Sequence, residues 1–406
     1  MKSIKILILL TNQPLTKHNF TRLGVGKTYK GWKIKYLSIL PIINRKIYED
    51  YTKKGSRHIK DKNFKEIFSY FNLFNELKKL PKNFFYSNQA GHGFLASIID
   101  RVFYISGGKK ISFIPQDEIN LDIYTTKRFK IYFNKNNLPK LIARSFFTFF
   151  KKISEFLSSK IAATQIKLIF VFNNITYEKI KKKYKKVSIV KVASPELELY
   201  VKAKKKKDRH LSDIVFIDDV VENSFDYKLG YMQDKNRRFG DYWGPTKDFL
   251  DYIKYHFPQK KIYIAAHHRR NERDIPINGF KFFFDKTSKL IKDSKLVLCH
   301  NSFACQIAVL FKKPIIFLTS NYYQKYHYHS HALTIELSKA LGAQLIHIGK
   351  NFNKNPSVLK KIKNAKINFT KYEQYRRNYI QFNDLKINDR WQNILKNLEK
   401  NKSQIF

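Results

Sequence analysis

Twice along this chain, short apolar segments alternate with stretches of helical length, and that alternation limits the fold more than any other feature. A strand that is followed by a helix and then by another strand returns to its sheet in parallel. Each series therefore implies an α/β sheet with helices over its faces. In the first series, strands are expected at 4–10, 33–37, 83–87, 110–114, 167–172 and 187–192. The loop Asn88-Gln-Ala-Gly-His-Gly93 opens an apolar helix over 94–102, and Gly107-Gly108 closes it. In the second series, strands are expected at 214–217, 261–266, 296–299, 314–318 and 344–348. Helices are expected from Pro245 to about His256, from Ser302 to Phe311, and from Ala332 to Leu341 with Gly342 as its stop. The stretch from Tyr372 to Lys400 reads as helical and polar.

The expected division is a Rossmann-like unit over 1–201, a charged linker over 202–210, a second Rossmann-like unit over 211–370 and a helical extension over 371–406. The linker is placed at Lys202-Ala-Lys-Lys-Lys-Lys-Asp-Arg209, because charge runs are mostly solvated connectors. Two doubly wound sheets of this kind present a cleft between them. The tract 138–157 carries Phe146, Phe147, Phe149, Phe150 and Phe156 among Lys140, Arg144, Lys151 and Lys152. It fits a buried helix of the first unit, with a helix lying on a membrane surface as the alternative.

The 406 residues suit two domains of ordinary size. A net charge of +47 with 43% apolar residues is too hydrophobic for a disordered polycation. The basic residues are 64 lysines against 15 arginines, spread along the whole chain. Arginine is the residue that reads bases and forks onto phosphates. No zinc-finger spacing, RNA-recognition signature or basic-region heptad accompanies them, so nucleic acid is not an expected partner. An anionic membrane surface is the better match for such a charge. Cys299 and Cys305 cannot make a disulfide framework, which points to a reducing compartment. No apolar run is long enough to span a bilayer. The opening Met1-Lys-Ser-Ile-Lys-Ile-Leu-Ile-Leu-Leu10 is interrupted by Lys5 and reads as a buried first strand rather than a signal peptide.

Several motifs fall where parallel strands end. Asp218-Asp219 follows one strand and Asp226 lies a little beyond; such carboxylates can bind sugar hydroxyls, act as a base, or cap the next helix. His267-His-Arg-Arg270 ends the next strand, where imidazole and guanidinium groups can hold a phosphate. His300-Asn301 ends a third, and Ser302 is the expected N-cap of an anion-binding helix start. Gly24-Val-Gly-Lys-Thr28 is not a P-loop, because position 21 is Thr and no strand directly precedes it. His327-Tyr-His-Ser-His331 has metal-like alternation but no acid or cysteine beside it, and no metal is expected.

Read together, these segments resemble bacterial surface-carbohydrate (capsule or lipopolysaccharide) biosynthesis proteins of the GT-B glycosyltransferase type. The resemblance rests on Lys17-His-Asn-Phe-Thr-Arg-Leu-Gly24, Gly31-Trp-Lys-Ile34, Val215-Phe-Ile-Asp-Asp219 with Phe225-Asp226, Ile264-Ala-Ala-His-His268, and the segment from Lys286 to Pro314. It implies two Rossmann-like domains facing a cleft, with a C-terminal helix that closes back, and transfer of a sugar from a nucleotide-activated donor. The nucleotide sugar would be a co-substrate, and no bound cofactor or metal is implied. His267, Arg269, Asn301 and Ser302 would hold the donor phosphate, with Asp219, Asp226 and His300 on the nucleotide or sugar. Arg22 and Gly24 would lie on the side of a glycan or glycolipid acceptor. His92, Asp117 and Glu118 are the candidates for the base, and the sequence does not choose among them. His268 stands where related enzymes have Pro, and the Glu-x7-Glu donor motif of retaining enzymes is absent, which favours inversion. The implied setting is the cytoplasmic face of the inner membrane. A nucleotide-sugar 2-epimerase of the same architecture and an inactive glycan- or lipid-binding scaffold are the alternatives.

Overall fold

The computed structural model describes residues 4–13, 20, 23–24, 29–53, 61–89, 94–114, 166–207, 213–219, 240–268, 270, 272, 275–349, 351–382 and 389–405. Among the described residues, seven strands form the first sheet: β1 (Lys5–Thr11), β2 (Trp32–Ser38), β3 (Phe64–Glu66), β4 (Phe84–Gln89), β5 (Gly108–Ile114), β6 (Leu168–Val171) and β7 (Ser188–Lys191). Six form the second: β8 (Ile214–Ile217), β9 (Ile262–Ala265), β10 (Lys281–Phe283), β11 (Leu296–Cys299), β12 (Ile315–Thr319) and β13 (Gln344–His347). Among the described residues, the helices longer than one turn are α1 (Arg45–Lys53), α2 (Tyr70–Lys78), α3 (Phe94–Ile105), α4 (Asn174–Lys183), α5 (Pro195–Lys204), α6 (Gly240–His256), α7 (Thr287–Asp293), α8 (Cys305–Leu310), α9 (Asn321–Tyr326), α10 (Tyr328–Leu341), α11 (Pro356–Lys363), α12 (Phe369–Tyr375) and α13 (Arg390–Lys400).

The strand orders are β3-β2-β1-β4-β5-β6-β7 and β10-β9-β8-β11-β12-β13, and the paired strands are parallel. Both orders run outward from the first strand and then reverse, which makes each sheet doubly wound, as the alternation implied. Strand composition follows from coverage on both faces. Leu7 and Leu9 of β1 face one core and Ile6, Ile8 and Leu10 face the other, so the strand reads as a continuous apolar run. Val215 and Ile217 of β8 separate from Ile214 and Phe216 in the same way.

One face of the first sheet is completed from the far end of the chain. Trp391, Ile394, Leu395 and Leu398 of α13 join Leu7, Leu9, Trp32, Phe85 and Phe170 in one core. Asp389 caps this helix by accepting from the amides of Trp391 (3.0 Å) and Gln392 (3.3 Å). Glu399 accepts from Lys5 Nζ (2.5 Å) and Trp32 Nε1 (3.1 Å). The expected C-terminal closure is thus present.

Some expectations are corrected. The helix at Pro245 begins earlier, at Gly240, and runs through the proline, which has no N–H to donate to the preceding turn. The tract from Tyr372 to Lys400 is not one polar helix. It holds the end of α12, a π-helical turn at Arg376–Ile380 and the separate α13, whose apolar face is buried. Helix α5 runs on to Lys204, so the start of the charged tract is helical. The aromatic tract 138–157 lies outside the described residues.

Candidate functional site

In a doubly wound sheet, the crevice for a ligand opens at the carboxyl ends of the two strands where the winding reverses. In the second sheet those strands are β8 and β11. Asp218 and Asp219 follow β8 and His300, Asn301 and Ser302 follow β11, while His267 lies just beyond the end of β9, the other neighbour of β8. Topology therefore brings three of the sequence-derived loops to one edge.

Asp218 and Arg270 are both fully buried at their side chains and bonded twice, Nε to Oδ2 at 2.5 Å and Nη2 to Oδ1 at 3.0 Å. The same Oδ2 accepts the backbone N–H of His267 at 3.1 Å. The guanidinium carbon also lies 5.1 Å from the Trp243 ring centre. This corrects the reading of Arg270 as a phosphate cation. Its charge is taken up by Asp218, and the pair fixes the end of β8 against the loop that carries His267. The ring centres of His267 and His268 are 4.1 Å apart.

Asp219 Oδ2 accepts from the Tyr323 hydroxyl at 2.5 Å. Burial and the neighbouring carboxylate push the Tyr323 phenol well above its usual range, so it stays a neutral donor. The Tyr323 ring stacks on His300 at 4.4 Å. His300, read from the sequence as a nucleotide or sugar contact, is fully buried among Phe216, Tyr242 and Tyr323. Its Nδ1–H donates to the carbonyl of Leu318 at 2.6 Å, and its Nε2 has no hydrogen-bond partner among the described residues. Burial lowers its pKa to about 4, which keeps the imidazole neutral. The ring supports the edge from beneath rather than lining it.

Ser302 is not the N-cap of the next helix. Helix α8 begins three residues later, at Cys305, with Ala304 as its cap residue. The Ser302 hydroxyl accepts from the Ala304 amide at 3.3 Å and closes a local turn instead. Asn301 Oδ1 is buried without a hydrogen-bond partner among the described residues. Phe303, between the two turns of backbone, is 43% exposed.

Gly24 has φ +66°, and a Cβ built there would sit 2.7 Å from Trp391 Cδ1. The left-handed backbone and the indole against it both call for glycine. His92, Asp117, Glu118, Arg22, Asp226 and Arg269 lie outside the described residues. Among the described residues, no cluster of His, Cys, Asp and Glu has the arrangement of a metal site. His331 Nδ1 shares a hydrogen bond with Thr319 Oγ1 at 2.6 Å, while the His327 ring lies tilted against those of Tyr322 and Tyr323, with centres 5.2 and 5.3 Å apart. Sequence reasoning missed Tyr323 and Trp243. The signal for Tyr323 was its position: Ser320 caps a helix directly after β12, next to β11, which brings that helix start to the same edge.

No family model matches the chain, and no curated protein is similar to it in sequence. Solved structures resemble it along its whole length at low identity. UDP-GlcNAc 2-epimerase from Methanocaldococcus jannaschii is 13% identical with a TM-score of 0.47, the alignment covering 98% of this chain and 99% of that one. S. aureus MnaA, solved with UDP, is 11% identical with a TM-score of 0.46 over 99% and 98%. MurG from Acinetobacter baumannii is 10% identical with a TM-score of 0.45 over 98% and 99%. Forosaminyltransferase and 2-epimerase names both occur among these structures. No described helix is long and apolar enough to cross a membrane.

Proposed function

We propose that the chain is a glycosyltransferase that binds a nucleotide-activated sugar at the winding reversal of its second sheet. The observation that supports this most is the joining of three loops there: Asp218 to the His267 backbone, Asp219 to Tyr323, and Tyr323 to His300. Such a braced edge holds its outward groups in place before a ligand arrives, which lowers the ordering cost of binding. His267, Asn301, Ser302 and Arg269 are assigned to the donor phosphate, where cationic and hydrogen-bonding groups offset the charge of the departing nucleotide. Asp219 and Asp226 are assigned to the nucleotide or sugar, and His300 positions the loop that carries Asn301 and Ser302. The acceptor would enter over the first unit, residues 1–201, near Arg22 and Gly24. His92, Asp117 or Glu118 would take the proton of its attacking hydroxyl, in an inverting reaction without a bound metal.

Thermal shift with CMP, UDP and GDP tests the donor site, because a ligand of the folded state raises its stability. One nucleotide is expected to stabilise the protein. His267→Ala and Ser302→Ala are each expected to weaken it by about 1–3 kcal/mol. Unchanged affinity in both folded variants would remove the site. Incubation of the matching nucleotide sugar then separates the chemistries. Transfer or hydrolysis supports this reading, isomerisation at the sugar's second carbon identifies an epimerase, and no turnover identifies a scaffold.

A further inference from the structure

Helix α2 leaves most of its apolar surface uncovered. Only Leu73 and Leu77 are buried beneath it. Phe71 is 71% exposed, Tyr70 45% and Phe74 40%, and Phe68 just before the helix is 55% exposed. At 100° per residue, Tyr70, Phe71, Phe74 and Lys78 fall on one flank. Glu76 falls on the other, where it pairs with Lys65 of β3 (2.7 Å) and with Lys79 (2.9 Å). Helix α3 covers the same core as α2 and carries Tyr104 and Ile105, also exposed. Isolated exposed apolar residues are ordinary, but this grouping on adjacent helices is not.

The charge around these rings indicates what covers them. Between residues 62 and 82 there are five lysines and two glutamates. Both glutamates are already bonded, Glu66 to the Tyr48 hydroxyl at 2.7 Å and Glu76 to its two lysines. Lys78 Nζ lies 4.6 Å from the Phe74 ring centre, and the Arg101 guanidinium lies 5.5 Å from that of Tyr104. Each pairing places an aromatic body beside a cationic head, the arrangement suited to a lipid interface. A second copy of this chain, at +47, would be repelled. Anionic headgroups above acyl chains match both the charge and the rings.

We propose that the aromatic-basic flank of α2, with the end of α3, is a docking surface for an anionic lipid bilayer. Helix α2 starts directly after β3, so Phe68, Tyr70 and Phe71 lie at the carboxyl edge of the first sheet. The end of α3 leads into β5 and lies at the opposite, amino edge, so the surface runs along the helical face of that sheet and docking sets the bilayer against this face. This surface is independent of the nucleotide site, and either can fail without the other.

Flotation of the full chain with phosphatidylcholine vesicles, with and without phosphatidylglycerol, tests it. The wild type is expected to float with the anionic vesicles, less as salt rises, and to bind poorly to pure phosphatidylcholine. Phe71→Ser with Phe74→Ser, both exposed, should lower the bound fraction by roughly tenfold while leaving nucleotide-induced thermal shifts intact. A Phe71→Trp variant should lose its added emission when the vesicles carry brominated acyl chains. Failure of the wild type to float, wild-type binding by the double variant, or an unquenched Trp at position 71 in bound protein would each overturn the proposal.

Discussion

The two sheets share a winding order but differ in how they are completed. The second sheet is closed mainly by helices that follow β8: α6, α9 and α11 cover one face, and α7, α8, α10 and α12 the other, where Leu199 of α5 also packs. The first sheet borrows α13 for one face and leaves aromatic rings exposed over the helices of the other. The carboxyl edges differ as well. At the second, a buried ion pair and a stack of rings fix the loops. At the first, Asn88 donates to Asp100 Oδ1 at 3.0 Å, and Asp100 pairs with Lys110, a brace within adjacent elements of that sheet. The comparison separates a preorganised edge, suited to one compact charged ligand, from a unit whose outer surface is still available to a partner.

The largest effects should fall on one unit at a time. Trp391→Ala removes the indole that fills the borrowed face, at a cost of about 4 kcal/mol. Hydrogen exchange should then show lost protection in β1, β2 and β4 and little change in β8 and β11. Equal loss in both sheets would mean that the units unfold as one. Arg270→Met leaves the Asp218 carboxylate buried and uncompensated, at about 3–5 kcal/mol, with the reverse pattern of exchange. A double variant, Asp218→Asn with Arg270→Met, should recover part of that loss, because neither charge then remains.

The sequence made the sheets legible because a strand buried on both faces is a continuous apolar run, as in Ile214–Ile217 and Leu296–Cys299. It did not reveal β3 and β10, which are three residues each and sit at sheet edges, too short for any period to register. The edge bearing Asp218, His267 and Asn301 was legible for the same reason as the strands: each lies just beyond one. The partners of those residues were not, because Arg270 with Asp218 and Tyr323 with Asp219 are contacts set by the sheet order rather than by spacing. Helix starts were the least legible. Ser302 resembles a cap in sequence, yet its hydroxyl bonds only two residues ahead and α8 begins later.

Acid should act on the second unit before the first. Burial lowers His300 to about 4 and His327 to about 3, against about 6.5 for an unfolded histidine. Between those values the unfolded chain binds more protons, so stability is full above pH ~6.5 and falls as the pH drops toward ~4. For His300 alone the loss is on the order of 3 kcal/mol. Melting followed against pH should show this slope, and exchange should localise it to β8, β11 and α9. His300→Gln should make it shallower, leaving the part that His327 carries; an unchanged slope would assign the acid sensitivity to other groups.

The smallest effect sharpens the contrast from the other side. Gly24 lies against Trp391, and its φ of +66° disfavours any side chain. Alanine there combines the left-handed penalty with an indole that must move, about 2 kcal/mol in all. If Gly24 serves only this packing, Gly24→Ala and Trp391→Ala share one contact and their costs should not add. Gly24→Ala made in the Trp391→Ala background should then cost less, close to the backbone penalty alone, as read from urea denaturation of the four proteins. Full additivity would mean that the indole gives way freely. The glycine would then be needed for its backbone turn, not for the helix that returns to it.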